Sequence, residues 1–207
     1  MTAGGEALLR RDGFPAIFLF VLVPFGALCV GMAAHPLQIL DSEAEIRGRT
    51  EAWRVPAEAA ARAAEVPADL LLALVATESS GRPRATSGAG AVGLAQLLPS
   101  TALGEAARLG IASPESLDLF DPAVNLRLGA AYLRDQLRAF GGDEALALAA
   151  YHSGPGTPAA WRRDDPSATG LALLRARGTP RTRAYVERVL RRREWFRPPP
   201  SAPAGPR

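Results

Sequence analysis

The chain predicts a mainly α domain over residues 54–193, with one short Gly-rich hairpin or loop set among its helices. Three observations carry that expectation. Apolar residues recur at helical spacing in a series of segments whose ends carry recognisable caps. No run alternates polar and apolar residues well enough for a long strand. Only Ala85 to Gln96, rich in Gly and Ser, could hold a short hairpin. A length of 207 residues suits one such domain with peripheral segments on either side.

The first segment in chain order is the uncharged apolar run Phe14 to Ala34, which follows Arg10 and Arg11. It is long for a signal-peptide core and about right for a membrane span. Gly31-Met32-Ala33-Ala34 nevertheless offers small residues to a peptidase, so residues 1–35 read as either a signal peptide or an N-terminal membrane anchor. On both readings Arg10 and Arg11 stay cytoplasmic and the rest is exported. The expected location is the periplasm, free or anchored to the inner membrane through residues 14–34.

Residues 36–53 read as a polar linker with some helical character. Helical signals follow at Pro56 to Glu65, Pro67 to Ser79, Ser100 to Leu109, Asp121 to Phe140, Asp143 to Tyr151 and Thr182 to Trp195. Asp121-Pro122 supplies an N-cap with Pro at the first helical position, and Gly141-Gly142 closes that helix. Residues 194–207, ending in Pro198-Pro199-Pro200-Ser201-Ala202-Pro203, read as a Pro-rich disordered tail.

Composition removes several function classes. The net charge of +3 is too small to argue for nucleic acid, and no nucleic-acid-binding motif appears. All 24 basic residues are Arg, so the run Arg188, Arg191, Arg192, Arg193 and Arg197 reads as the solvated face of a terminal helix rather than a polyanion site. Cys29 is the single cysteine, and His35 and His152 are the two histidines. No disulfide framework or zinc site is expected from that set.

Glu78 is the residue out of place. Leu71, Leu74, Val75 and Glu78 fall at i, i+3, i+4 and i+7, which puts a carboxylate on an apolar stripe. It also falls in the last helical turn, before Ser79-Ser80-Gly81 and Pro83 stop the helix. Burial and the negative end of the helix dipole both oppose ionisation there, raising the pKa toward that of a proton donor near neutral pH. Most glycosidases place a second carboxylate about 5–10 Å away. No second acid lies near Glu78 in any motif-like stretch, because Asp118, Asp121, Asp143 and Glu144 read as caps and first-turn residues. A lone acid suggests a substrate that supplies its own nucleophile. Gly88-Ala89-Gly90-Ala91-Val92-Gly93 matches G-x-G-x-x-G literally but lacks the preceding strand that a dinucleotide site requires.

Thr77-Glu78-Ser79-Ser80, Ser87 and Gly90-Ala91-Val92-Gly93-Leu94-Ala95-Gln96-Leu97-Leu98-Pro99-Ser100-Thr101 resemble the first signature of soluble lytic transglycosylases. These form the goose-lysozyme-like glycoside hydrolase family 23. Asp121-Pro122 with Asn125, Gly129 and Tyr132, then Ala150-Tyr151-His152-Ser153-Gly154, then Thr182-Arg183-Ala184-Tyr185-Val186 continue the resemblance in order. It implies a lysozyme-like α+β fold and no metal or cofactor. It also implies peptidoglycan glycan strands as substrate, cleaved between N-acetylmuramic acid and N-acetylglucosamine without water. Glu78 would act as acid and then base, leaving 1,6-anhydro ends. Ser87 would bond near the acid or the N-acetyl group, Gln96 would bind glycan, Leu98 would form an apolar wall, and the Tyr151 hydroxyl would reach toward Glu78. His152 stands where the family has Asn, Ala95 where Met is common, and Arg181 where an acid is common. A hydrolytic muramidase, or a non-catalytic wall-binding module of an envelope machine, are the alternative functions.

Overall fold

The computed structural model describes residues 41–111 and 117–198. The apolar run 14–34, the start of the linker and the end of the Pro-rich tail lie outside the described residues. Among those described, the chain forms α1 (Glu43–Glu51), α2 (Arg54–Ala64), α3 (Ala68–Glu78), α4 (Pro99–Arg108), α5 (Pro122–Ala139), α6 (Glu144–Ser153), α7 (Gly156–Asp164), α8 (Gly170–Arg177) and α9 (Pro180–Arg193). The mainly helical class is therefore as expected. No described helix is long and apolar enough to cross a membrane.

Two helices carry the core. Every residue from Leu70 to Ala76 of α3 and from Leu146 to Ala150 of α6 has no accessible surface. The stripe read on α3 is thus a fully sheathed helix, apolar on all sides. Helices α1, α2 and α9 pack on α3, while α5, α7, α8 and α9 pack on α6. The acids read as caps do cap: Asp121 accepts from the Ala123 and Val124 amides, Asp143 from Leu146, and Asp118 from Phe120.

Helices α7 and α8 were not expected, and three further segments differ from the sequence reading. The described part of the linker is mostly helix: Ser42 and Glu45 form a reciprocal capping box, and Ile46 and Thr50 of α1 are buried. The tail leaves the body later than residue 194, because Phe196 is buried. The basic run is only partly solvated. Arg192 is buried, donating to the Ala76 carbonyl at 2.6 Å and pairing with Glu43, while Arg193 pairs with Asp69 and Glu144. Desolvated guanidinium groups with fixed partners are cross-ties between helices, not a binding face.

The Gly-rich stretch after α3 forms isolated antiparallel bridges, Thr86 to Val92 and Val92 to Leu97. It is held from α5. Buried Asn125 accepts from the Ala95 amide at 2.7 Å and donates to the Val92 and Leu119 carbonyls at 3.0 and 2.9 Å. Gly93, at φ 80°, lies so close to Asn125 that a Cβ there would stand 2.2 Å from its Nδ2. The loop and α5 therefore approach as backbone against side chain, with no room for either to shift.

Candidate active site

Glu78 is the last residue of α3, where the fully buried helix emerges. Its side chain is partly covered and keeps an open side. Burial pushes its pKa up to about 7, and a hydrogen bond from Tyr185 pulls against that rise. Among the described residues no other carboxylate and no arginine contributes to the shift. A carboxyl with such a pKa is divided between its acid and base forms near neutral pH, as a group that must act in both roles requires.

The hydroxyl hydrogen-bonded to Glu78 belongs to Tyr185, not to Tyr151. Tyr185, on α9, donates to Glu78 Oε1 at 2.6 Å across 107 residues of sequence. Tyr151 instead donates to the Ala95 carbonyl at 2.9 Å and so pins the Gly-rich loop. Both phenols are buried and sit beside the Glu78 charge, which pushes their pKa values well above the ordinary range and keeps them donors. The Thr182 to Val186 motif was visible in the sequence, but nothing in it said which side chain would meet Glu78.

The remaining candidates fall into two groups. Gln96, Leu98, Tyr151 and His152 line one cleft of about 400 Å³ together with Leu97, Thr101, Tyr132, Ser153 and Gly154, and Glu78 is not among its lining residues. A larger groove of about 530 Å³, between Arg54, Arg62, Asp69 and Phe196, contains none of the candidate site residues. Gln96 adopts φ 48° and spends its amide N–H groups on the Ala85 and Gly93 carbonyls. Only its Oε1 is left to accept from an outside group. Leu98 is exposed at the start of α4. Ser87 is also exposed, and its Oγ accepts from the Ala91 amide at 3.0 Å, closing the loop turn rather than touching Glu78. Tyr132 and Tyr151 pack with ring centroids 4.9 Å apart.

His152 lies flat on Tyr185, centroids 4.2 Å apart and planes 15° from parallel. Burial first, then the Arg181 charge, lowers its pKa. It is therefore neutral at pH 7, a half-covered imidazole stacked on the phenol that serves Glu78.

Comparison with known proteins follows the same outline. The family model described as transglycosylase SLT domain matches residues 56–172. The soluble lytic murein transglycosylase of Escherichia coli K12 is 30% identical over 135 residues, 64% of this chain and 21% of that protein. An endo-type membrane-bound lytic murein transglycosylase A of Klebsiella pneumoniae is 36% identical over 118 residues, 56% of this chain and 58% of the relative. Among solved structures, an inactive glutamate-to-glutamine mutant of lytic transglycosylase Slt from Pseudomonas aeruginosa superposes with TM-score 0.64 at 34% identity, covering 68% of this chain and 23% of that one. The chain thus spans about a fifth of the length of the soluble relatives it matches.

Proposed function

The chain belongs to the transglycosylase SLT domain family, and on that premise we propose that it is a peptidoglycan lytic transglycosylase. The observation that carries the proposal is the single carboxyl of Glu78, poised near pH 7, hydrogen-bonded by Tyr185 and, among the described residues, influenced by no second acid. Protonated Glu78 donates to the oxygen bridging N-acetylmuramic acid to N-acetylglucosamine, and the C1–O bond breaks. The carboxylate so formed takes the proton of the muramyl 6-hydroxyl as that oxygen closes on C1. Atoms balance without water, and the product is a 1,6-anhydro end. Tyr185 steadies the carboxylate between the two steps, when it carries the charge.

The cleft of Gln96, Leu98, Tyr151 and His152 is the proposed glycan seat, with Gln96 Oε1 accepting from an N-acetyl N–H and Ser87 at its outer edge. Peptidoglycan lies outside the cytoplasmic membrane, so the run 14–34 is assigned to export, as signal or as anchor. Relatives bearing both soluble and membrane-bound names are compatible with either.

The test is digestion of purified sacculi with the full chain and with Glu78→Gln, followed by mass spectrometry of the released muropeptides. Anhydro ends, with activity reduced at least about 100-fold by the substitution, are expected. Reducing ends carrying the mass of water would make the protein a muramidase. Undiminished digestion by Glu78→Gln would remove Glu78 from the chemistry.

A further inference from the structure

The segment before the family-matched region, residues 41–53, grips the backbone that follows the proposed acid. After Glu78 the chain turns back through two consecutive left-handed residues, Ser80 at φ 56° and Gly81 at φ 73°. The first is not glycine, so the turn is strained and surrounding contacts must offset that strain. Carbonyls leaving a helix end have no partner within it. Here the partners come from the N-terminal segment. Arg49 Nε donates to the Ser80 carbonyl at 3.0 Å, and Trp53 Nε1 donates to the Gly81 carbonyl at 2.9 Å.

The approach is close as well as polar. A Cβ on Gly81 would stand 2.8 Å from the Thr50 nitrogen and 2.9 Å from the Arg49 carbonyl carbon, and Thr50 is fully buried. Asp41 pairs with Arg49 at 2.8 Å and also with Arg82, the residue just past the turn. On the other side, Arg192 of α9 holds the Ala76 carbonyl and reaches Glu43 of α1 at 3.0 Å. Glu78 therefore sits between a carbonyl gripped from α9 and two carbonyls gripped from residues 49 and 53, and the two grips are tied to each other.

We propose that Arg49 and Trp53 are positioning residues of the active site, fixing the end of α3 and hence the direction in which the Glu78 carboxyl points. This rests on the reading of Glu78 as the acid. The titratable groups facing Glu78 are Tyr185 of α9 and Tyr151 of α6. Arg49 and Trp53 act on its backbone, not through charge. If the grip loosens, Glu78 gains water, burial no longer raises its pKa as far, and the protonated form is lost at lower pH.

The experiment uses the full chain on soluble, uncrosslinked glycan strands. Trp53→Phe keeps the aromatic packing and removes the N–H, and Arg49→Met keeps the stem and removes the donors. The double variant should lose at least about tenfold in kcat, since misplacement by a fraction of an ångström is costly. KM should stay within about twofold, and the basic limb of the pH–rate profile should move to lower pH. Arg49→Lys, which restores a donor, should recover part of the loss. Phe140→Ala, a core truncation far from Glu78 in sequence, controls for general destabilisation. A folded double variant with wild-type kcat overturns the proposal. So does a loss of kcat with an unmoved basic limb, matched by Phe140→Ala at equal loss of Tm. Should the double variant fail to fold, Trp53→Phe alone is read by the same criteria. Glu78→Gln run in parallel separates the two levels: if it stays active the acid assignment fails, whatever Trp53 does.

Discussion

At the residue scale the site holds two groups whose protonation is linked to folding with opposite signs. Glu78 has its pKa raised from 4.5 to about 7, so the unfolded chain releases its proton first as pH rises. Its contribution to stability is neutral below pH 4.5, falls through the interval up to about 7, and stays unfavourable above it. Glu78→Gln should therefore match the wild type at pH 4 and exceed it at pH 8 by on the order of 3 kcal/mol. Thermal unfolding at those two pH values checks this, and a stability gain at pH 4 equal to that at pH 8 would contradict it. His152 runs the other way. Its lowered pKa means that the unfolded chain takes up a proton first, so stability falls as pH drops below about 6.5. His152→Asn should flatten that loss, and any acidic limb that His152 imposes on activity should lie below the ordinary histidine range. Superimposable acidic limbs for the wild type and His152→Asn would mean that its charge does not matter. Tyr185→Phe removes the bond that pulls the Glu78 pKa down, so the basic limb should move to higher pH while kcat falls about tenfold, the worth of one hydrogen bond to a charge. The prominence of Glu78 was legible because a carboxylate in an apolar helix breaks a local rule. Tyr185 was not legible as its partner, since a tyrosine on a helix face looks the same whether it meets core or catalyst.

At the scale of elements, legibility followed amphipathicity. Helices α2 to α6 and α9 announced themselves by apolar spacing and caps. Helix α1 did not, because Glu43–Glu51 buries only Ile46 and Thr50, although its Ser42-x-x-Glu45 box was a readable start signal. Helices α7 and α8 were missed for another reason: both open on glycine and are short, so turn chemistry masks them. A short hairpin or loop was expected beside α3; the stretch holds only isolated bridges, and its attachment to α5 depends on contacts that no periodicity encodes. That attachment makes Gly129 informative. Alanine inside a helix ordinarily stabilises by up to about 1 kcal/mol over glycine. A Cβ on Gly129, however, would lie 2.5 Å from the Ala95 Cβ and push the loop off α5. Gly129→Ala should lower Tm and activity together, and adding Ala95→Gly should restore much of both. Stabilisation by Gly129→Ala alone would show that the loop yields easily.

At the scale of the whole molecule, the ties that matter join distant parts of the chain. Arg193 of α9 meets Asp69 of α3 and Glu144 of α6, all with side chains at most one-third exposed. Removing it with Arg193→Met would leave Glu144 unpaired and Asp69 with only Arg197 at 4.0 Å, and should cost about 1–3 kcal/mol, less than for fully buried pairs. Chemical denaturation would register that as a lower midpoint with an unchanged slope. A purely solvated basic face, as the sequence suggested, would give no change. The same geometry bears on the order in which the site is assembled. Glu78 meets Tyr185 across 107 residues, and Glu43 meets Arg192 across 149. During synthesis the acid is made early, but its partner and the outer brace arrive only with the last helix. Contacts this far apart in sequence form late, because the intervening loop must close first. A truncated chain carrying Glu78 without α9 therefore lacks the phenol that bonds the carboxyl and the guanidinium that holds the Ala76 carbonyl. The site is thus latched from its C-terminal side, and the acid stays unfinished until α9 docks.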